Sequence, residues 1–362
     1  MKIALVRKEF GGIGGGELYL QRLMEALIDK GNEVVLITSD KRAQVDGVTM
    51  RVVTLSAGRA KRVMEFDRKV REMLAGVNFD CIFSLERLGE QDVLRAGDGV
   101  HSVWLEQRRR FLPSWRSWLV GYGGFHQEML ELEACAYDVR NTRRIIVNSE
   151  MIGRNIQERF GYPAERIHLV RNGVEIDRWQ GGERDATRKL WGVEPDEFLL
   201  LFAGSGWERK GLRYVVSAME RLNDSSIKLV VAGKGRPPNW VSSKVQFVGP
   251  MRDIENAYAA ADLFVFPTIY EPSANVCFEA LAAGLPVVTS AYNGAAEVIE
   301  EGINGTVVTD PSDTGALASS IEFWRERPNV RPVPVKANLS LERNVRETLA
   351  VLELAAAERA VE

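Results

Sequence analysis

At 362 residues the chain is long for a single domain and suits two of ordinary size, each with its own core. Hydrophobic residues make up 45% and charged residues 27%, an ordinary soluble composition, and a net charge of -3 argues against a general nucleic-acid binder. Cys81, Cys135 and Cys277 lie far apart among apolar residues, so they offer neither a disulfide framework nor a metal spacing and point to a reducing compartment. The opening MKIALVRKEF is too short and too quickly charged for a signal peptide. No apolar run approaches the roughly 20 residues of a membrane-spanning helix, so any membrane contact is expected to be peripheral.

Taken in chain order, short β-branched runs predict buried parallel strands at 2–6, 33–38, 51–55, 80–84 and 144–148. Helical periodicity at 18–30 and 59–74 fills gaps between them, the alternation of an α/β domain. After 167–170 comes RNGVEIDRW, a turn-rich connector in which Asn172 and Gly173 read as a hinge, with Gly173 a candidate for the left-handed backbone region. The alternation then restarts, with strands predicted at 198–203, 227–232, 245–248, 263–267 and 286–290. The fold class is therefore α/β with two doubly wound, Rossmann-like domains, 1–170 and 171–338. Loops that follow parallel strands gather on one edge, and two such edges facing each other would form a cleft. The Pro-rich RPNVRPVPVKANLS then either carries a helix at 341–357 back across that cleft or leaves it as a solvated tail. The segment 339–362 is assigned as a helix that packs back on the N-terminal domain.

Three loops could carry chemistry. The first strand runs into EFGGIGGGELYLQRL, whose glycines would let backbone N–H groups approach a phosphate at a helix N-terminus. A tight strand-to-helix turn needs glycine without any ligand, and the spacing misses a dinucleotide fingerprint. The second domain opens with LLLFAGSGWERKGLRYVV, which places Arg209 and Lys210 before a helix, where two cations oppose the helix dipole and an anionic ligand would relieve them. The alternative is a pair of solvated surface charges. VVAGKGRP is a further glycine turn after a strand.

The third loop is YEPSANVCFEALAAGLPVV, with Glu271 in a turn and Glu279 among small apolar residues. A buried carboxylate is costly unless it is paired or hydrogen-bonded, and ribose hydroxyls would satisfy Glu279 without neutralising it. Eight residues of helix separate two groups by roughly 12 Å along the axis. That is too far for paired acid/base work on one bond, but it suits the two ends of an extended ligand.

With these residues together, the chain resembles the family 4 retaining glycosyltransferases of GT-B architecture, in GGGELYLQRLMEALIDKGNEVVLIT, GSGWERKG and EPSANVCFEALAAGLPVVTS, with HLVRNGVEIDRW similar to the interdomain linker. Within that family, LGEQDVLRAGDGVHSVWLEQRR looks like the lipopolysaccharide core heptose glucosyltransferases. The resemblance implies that Lys210 and Arg209 bind the donor diphosphate, Glu279 the ribose of the nucleotide and Glu271 the donor sugar. It also implies that Gly14, Gly15 and Gly16 let the backbone approach the diphosphate, and that Asp98 stands near the reacting centre with His101 beside it. Where many members carry an arginine after the glycine of the middle strand, this chain has Ser205.

The implied reaction is retaining transfer of a hexose, glucose from UDP-glucose, to a hydroxyl of a glycolipid or lipopolysaccharide-core acceptor. No metal, cofactor, protein nucleophile or nucleic acid is expected. HSVWLEQRRRFLPSWRSWLVGYGGF interleaves Trp104, Phe111, Trp115, Trp118 and Tyr122 with arginines, which suits peripheral contact with the anionic inner face of the cytoplasmic membrane. The alternative is a core helix with a charged outer face. A basic helix with Arg59, Lys61, Arg62, Arg68, Lys69 and Arg71 could receive a phosphorylated acceptor or simply be solvated. His126 and His168 read as structural. The rival activities are a UDP-sugar epimerase of the same architecture, an inactive nucleotide-sugar-binding protein and, more weakly, a nicotinamide dehydrogenase.

Overall fold

A computed structural model describes residues 1–10, 15–41, 44–58, 61–241, 244–327, 330–331 and 339–361, with 15–18 described for their backbone only. The chain divides into two compact units: Met1–Asn172 together with Leu341–Glu362, and Gly173–Ser340.

The first unit is built on a seven-stranded sheet: β1 (Lys2–Val6), β2 (Glu33–Thr38), β3 (Thr49–Val52), β4 (Cys81–Ser84), β5 (Gln91–Arg95), β6 (Thr142–Val147) and β7 (Ile167–Leu169). Their spatial order is β3-β2-β1-β4-β5-β6-β7, and every pairing is parallel. Side chains alternate between the two faces of a strand, so a strand covered on both sides is apolar unless its polar groups find partners, and this is what makes IALV and VVLI legible. On one face Leu20, Leu23 and Leu27 of the helix Gly15–Asp29 join Leu349, Leu352 and Ala355 of the helix Leu341–Arg359. On the other, Phe66 and Val70 of the helix Arg62–Leu74 cover Ala4, Val35 and Ile37.

The strand β5, QDVLR, is absent from the sequence reading because three of its five residues are polar. All five are buried, and each polar one has partners. Gln91 donates to Thr142 Oγ1 at 2.6 Å, Asp92 pairs with Arg143 and Arg359, and Arg95 donates to Asn172 at 2.9 Å. The Arg359 pairing, with Arg144 to Glu358 at 2.5 Å, fastens the helix Leu341–Arg359 to the first unit's sheet.

The second unit holds β8 (Phe198–Ala203), β9 (Ile227–Ala232), β10 (Val245–Gly249), β11 (Leu263–Phe266), β12 (Val287–Ser290) and β13 (Gly305–Val308), in the order β10-β9-β8-β11-β12-β13, again all parallel. The strand β13 escapes the sequence reading because it is four residues long and opens on glycine. Gly173 is not among the positive-φ glycines, so the left-handed role expected of it is not what this position supplies.

Both sheets share one arrangement. From the first strand of each unit the chain winds outward one way, then crosses and winds the other way. The reversal falls between β1 and β4 in the first unit and between β8 and β11 in the second. At such a reversal the two following loops diverge and leave a crevice beyond the carboxyl ends of the strands. The Arg209–Lys210 loop follows β8 and the Glu271 loop follows β11.

Candidate active site

The second unit brings four of the sequence-selected residues together. The strand β8 ends at Ala203. Gly204, with φ +125°, and Gly206, with φ +75°, then turn the chain into a single helical turn, Trp207–Lys210, before Gly211 starts the helix Leu212–Leu222. Arg209 and Lys210 therefore close a one-turn helix of their own, a position that suits cations, rather than opening the longer one.

A Cβ at Gly204 would overlap Lys210 Nζ, so the glycine is what lets the ammonium lie against the backbone. The same ammonium stands 5.4 Å from the centre of the Phe266 ring. Burial lowers the pKa of Lys210, and Glu271 pulls it partly back. A partly buried cation lying against the Gly204 backbone is a place for an anion. Ser205 accepts from the backbone N–H of Lys234 at 3.0 Å and so ties the loop after β8 to the loop after β9.

Arg209 is paired, although its side chain is 36% exposed. It reaches Glu271 at 2.7 Å and donates to Tyr270 O at 3.2 Å, while its own carbonyl accepts from Ile269 N–H and Thr268 Oγ1. Glu271 is held in turn through its main chain, donating to Tyr292 O and accepting from Gly294 N–H, each at 2.9 Å. The loops after β8, β11 and β12 are thereby joined. Asn293 completes the joint: its Oδ1 accepts from Ala274 and Ala295 N–H, and its Nδ2 donates to Thr289 Oγ1 at 2.9 Å.

Glu271 lies before the helix Asn275–Ala282, and Glu279 lies within it. Burial raises the pKa of Glu279. Three neighbours oppose that rise: the Tyr258 hydroxyl, which donates to Oε2 at 2.8 Å, and the charges of Arg178 and Lys210. Tyr258 is itself locked by an edge-to-face contact with Trp179 at 5.6 Å. These partners explain how a helix of small residues tolerates a carboxylate. Tyr258 and Asn293 were invisible in the sequence because each is distant in the chain and sits in no motif, and Arg178, although within the quoted RNGVEIDRW connector, carried no cue to this role.

A carboxyl whose pKa is higher in the folded protein than in the unfolded chain makes the fold lose stability as pH rises through that interval. At neutral pH the ionised Glu279 is therefore a cost to folding. Glu279→Gln keeps an acceptor for Tyr258 and removes the charge. It is expected to stabilise the second unit by about 1 kcal/mol, a rise of about 2–4 °C in melting temperature, while weakening binding of a ribonucleotide. Calorimetry with and without UDP checks both, and a lower melting temperature would show that burial is not what shifts this group.

The remaining residues lie in the first unit. Gly14 falls outside the described residues, and Gly15 and Gly16 open the helix Gly15–Asp29. Asp98 is exposed, in the turn between β5 and the helix His101–Arg110. That turn is braced from below: Gly99 O accepts from Arg87 and from Tyr137 OH, and the buried Glu133 carboxylate accepts the N–H groups of His101 and Ser102. His101 Nε2 lies 3.0 Å from His126 Nδ1, and burial beside Arg87 pushes the pKa of His101 down to about 4, so at neutral pH the pair shares one hydrogen bond between uncharged rings. His168 accepts from Arg144 at 2.8 Å, a structural role.

The aromatic and basic segment divides. Leu105 is buried, whereas Trp115, Trp118 and Tyr122 are 66%, 65% and 74% exposed, with Arg116 stacked on Trp115 at 4.5 Å. Of the basic helix, Arg59 lies outside the described residues; Arg68 and Arg71 pair with Glu72 and Asp67. No helix among the described residues is long and apolar enough to cross a membrane.

Two family models match consecutive parts of the chain: Glycosyltransferase Family 4 over residues 13–178 and Glycosyl transferases group 1 over residues 197–325. An uncharacterized glycosyltransferase of Methanocaldococcus jannaschii is 28% identical over 357 residues, covering 89% of this chain and 88% of that protein. The lipopolysaccharide glucosyltransferase WaaG of Escherichia coli is 24% identical over 328 residues, covering 86% of each. The crystal structure of WaaG, a glycosyltransferase involved in lipopolysaccharide biosynthesis, superposes with a TM-score of 0.77 at 21% identity over 98% of both chains. Anabaena HepE, solved in complex with UDP and glucose, gives 0.71 at 18% identity over 98% of this chain and 99% of that one.

Proposed function

The chain belongs to the GT-B glycosyltransferases, with a family 4 and a group 1 domain in succession, and we propose that it moves glucose from UDP-glucose, with retention, to a hydroxyl of a lipopolysaccharide-core or other glycolipid acceptor. The observation that carries the donor half is the joined set at the strand-order reversal of the second unit: Lys210 against Phe266, Arg209 on Glu271, and Glu279 on Tyr258. A cation at one end and a hydrogen-bonded carboxylate at the other suit a ligand with a diphosphate and a ribose. WaaG, a lipopolysaccharide glucosyltransferase, and HepE, solved with UDP and glucose, support the choice of glucose and UDP, and the acceptor class follows WaaG.

Breaking the bond from the anomeric carbon to the phosphate oxygen leaves negative charge on the diphosphate. Lys210 and Arg209 would meet that charge, and stabilising charge as it develops is usually the largest catalytic contribution. Arg209 at the same time orients Glu271 toward the sugar hydroxyls. In a front-face reaction the departing phosphate takes the acceptor's proton, so this reading invokes no protein nucleophile, and with two cations at the diphosphate it invokes no metal. Asp98 would stand near the reacting centre. The exposed Trp115, Trp118 and Tyr122, flanked by Arg110 and Arg116, would rest on an anionic bilayer, with aromatic rings at the headgroup level and guanidinium groups on the phosphates.

The test is a donor screen by nucleotide release, with and without a truncated lipopolysaccharide core, run beside sedimentation with phosphatidylglycerol and phosphatidylcholine vesicles. UDP release stimulated by the acceptor, with selective sedimentation on the anionic vesicles, is the expected result. An isomerised donor with no transfer would identify an epimerase instead, and equal sedimentation on both lipids would remove the membrane contact.

A further inference from the structure

Tyr258, in the helix Ile254–Ala260, is fully buried, and its hydroxyl donates to Glu279 Oε2 at 2.8 Å. Its ring is clamped. It meets Trp179 edge-to-face at 5.6 Å and Phe264 of β11 at 5.8 Å. Trp179 is held in turn: Arg178 stacks on it at 4.8 Å and reaches Glu255, on the same helix as Tyr258, at 3.4 Å. Burial, with the Glu279 charge beside it, raises the pKa of Tyr258 well above its ordinary value, so the phenol keeps its proton and stays a donor.

Glu279 keeps capacity beyond this bond. An ionised carboxylate offers about four acceptor positions, and among the described residues Tyr258 is the one side chain that donates to it, which leaves Oε1 without a hydrogen bond. Two adjacent hydroxyls, as on a ribose, suit the remaining positions if the carboxylate is held still. Ordering a long, flexible side chain on binding costs affinity, and a donor already fixed on one oxygen removes that cost. Burial raises the pKa of Glu279; the Tyr258 hydroxyl opposes the rise, and so do the charges of Arg178, from the turn Ile176–Gln180, and Lys210, from the loop after β8. Glu271 is taken up by Arg209, and Cys277, on Glu279's own helix, is pushed up to about 12 and is uncharged near neutrality.

We propose that Tyr258 is a positioning residue for the nucleotide: it holds the Glu279 carboxylate in the orientation that receives the ribose hydroxyls, and so sets a preference for ribonucleotides over deoxy forms. The inference rests on the reading of this site as the seat of a nucleotide sugar, and it assigns selection among nucleotides to a buried side chain that acts through Glu279.

The test is calorimetric binding of UDP and of 2′,3′-dideoxy-UDP to the full chain as wild type, Tyr258→Phe and Glu279→Ala. The wild type should bind UDP about 30–100-fold more tightly than the dideoxy form. Tyr258→Phe keeps the ring and its packing, and should shrink that gap about tenfold by weakening UDP alone. The hydroxyl favours the charged carboxylate, so without it UDP affinity should fall away at a higher pH on acidification than in the wild type. Titration of UDP itself is common to both proteins and drops out of the comparison. An equal loss for both nucleotides would mark Tyr258 as packing alone, and an undiminished gap or an unmoved pH limb would equally overturn the proposal. The other two proteins separate the levels. If the wild type does not distinguish the nucleotides, or Glu279→Ala leaves the gap intact, the ribose reading of Glu279 falls. A gap that Glu279→Ala removes and Tyr258→Phe does not would leave that reading standing and remove the role of Tyr258.

Discussion

Replacing Lys210 with alanine is expected to lower kcat/KM for sugar transfer by about 10²–10³-fold, equivalent to about 3–4 kcal/mol of lost transition-state stabilisation. Three structural facts set the size of the effect. The ammonium lies against the Gly204 backbone and over the Phe266 ring, so it is positioned before any ligand arrives and needs little reorganisation. Burial lowers its pKa, which means the site charges it at a cost that a phosphate would relieve. The other nearby cation, Arg209, is already shared with Glu271 and cannot substitute fully. A lysine whose folded pKa is lowered costs stability below that pKa, so the loss of activity should come without a loss of melting temperature. Steady-state kinetics with the donor varied, beside calorimetric unfolding, tests both parts. Wild-type turnover in Lys210→Ala would remove the diphosphate role, and a marked fall in melting temperature would show that the side chain is structural.

The largest stability effect should come from Gly211→Ala. Gly211 joins the one-turn helix to Leu212–Leu222 at φ +82°, and a Cβ there would overlap Pro267 O, a main-chain atom in the loop after β11 with no rotamer to escape into. The left-handed conformation alone costs alanine about 1–2 kcal/mol, and with the overlap the total is expected to be about 3–5 kcal/mol. For a unit of this size that is a fall in melting temperature on the order of 10 °C. Gly192→Ala is the control: it has φ +65° with nothing within 4 Å of the added methyl, so it carries the conformational part by itself. Similar losses in the two variants would show that the close approach to Pro267 contributes nothing. The contact bears on activity too, because it fixes the distance between the loop carrying Lys210 and the loop carrying Glu271.

What could be read in the sequence follows from where its physics is local. Strands β1, β2, β8 and β9 were legible to the residue because both faces are buried over a mostly apolar run, interrupted only by Lys2, Glu33, Thr38 and Lys228. The strand β5 was not, since its polar residues are satisfied by Thr142, Arg143, Arg359 and Asn172, all remote in the chain. The candidate site divides in the same way. Lys210, Arg209, Glu271 and Glu279 stand in compact motifs, whereas Tyr258 and Asn293, which hold the third loop in place, are recognisable only once the fold brings them close. The Arg209–Glu271 pairing was likewise hidden: the two were selected for different parts of one ligand, the diphosphate and the donor sugar, and the fold sets them against each other.

The helix Leu341–Arg359 belongs to the first unit although the whole of the second unit precedes it in the chain. During synthesis the ribosome therefore delivers a complete second unit while the first still lacks the helix that covers Leu20, Leu23 and Leu27. Nascent chains would carry a temporarily uncovered greasy surface for as long as the intervening residues take to emerge, which makes this half the natural client of a holding chaperone.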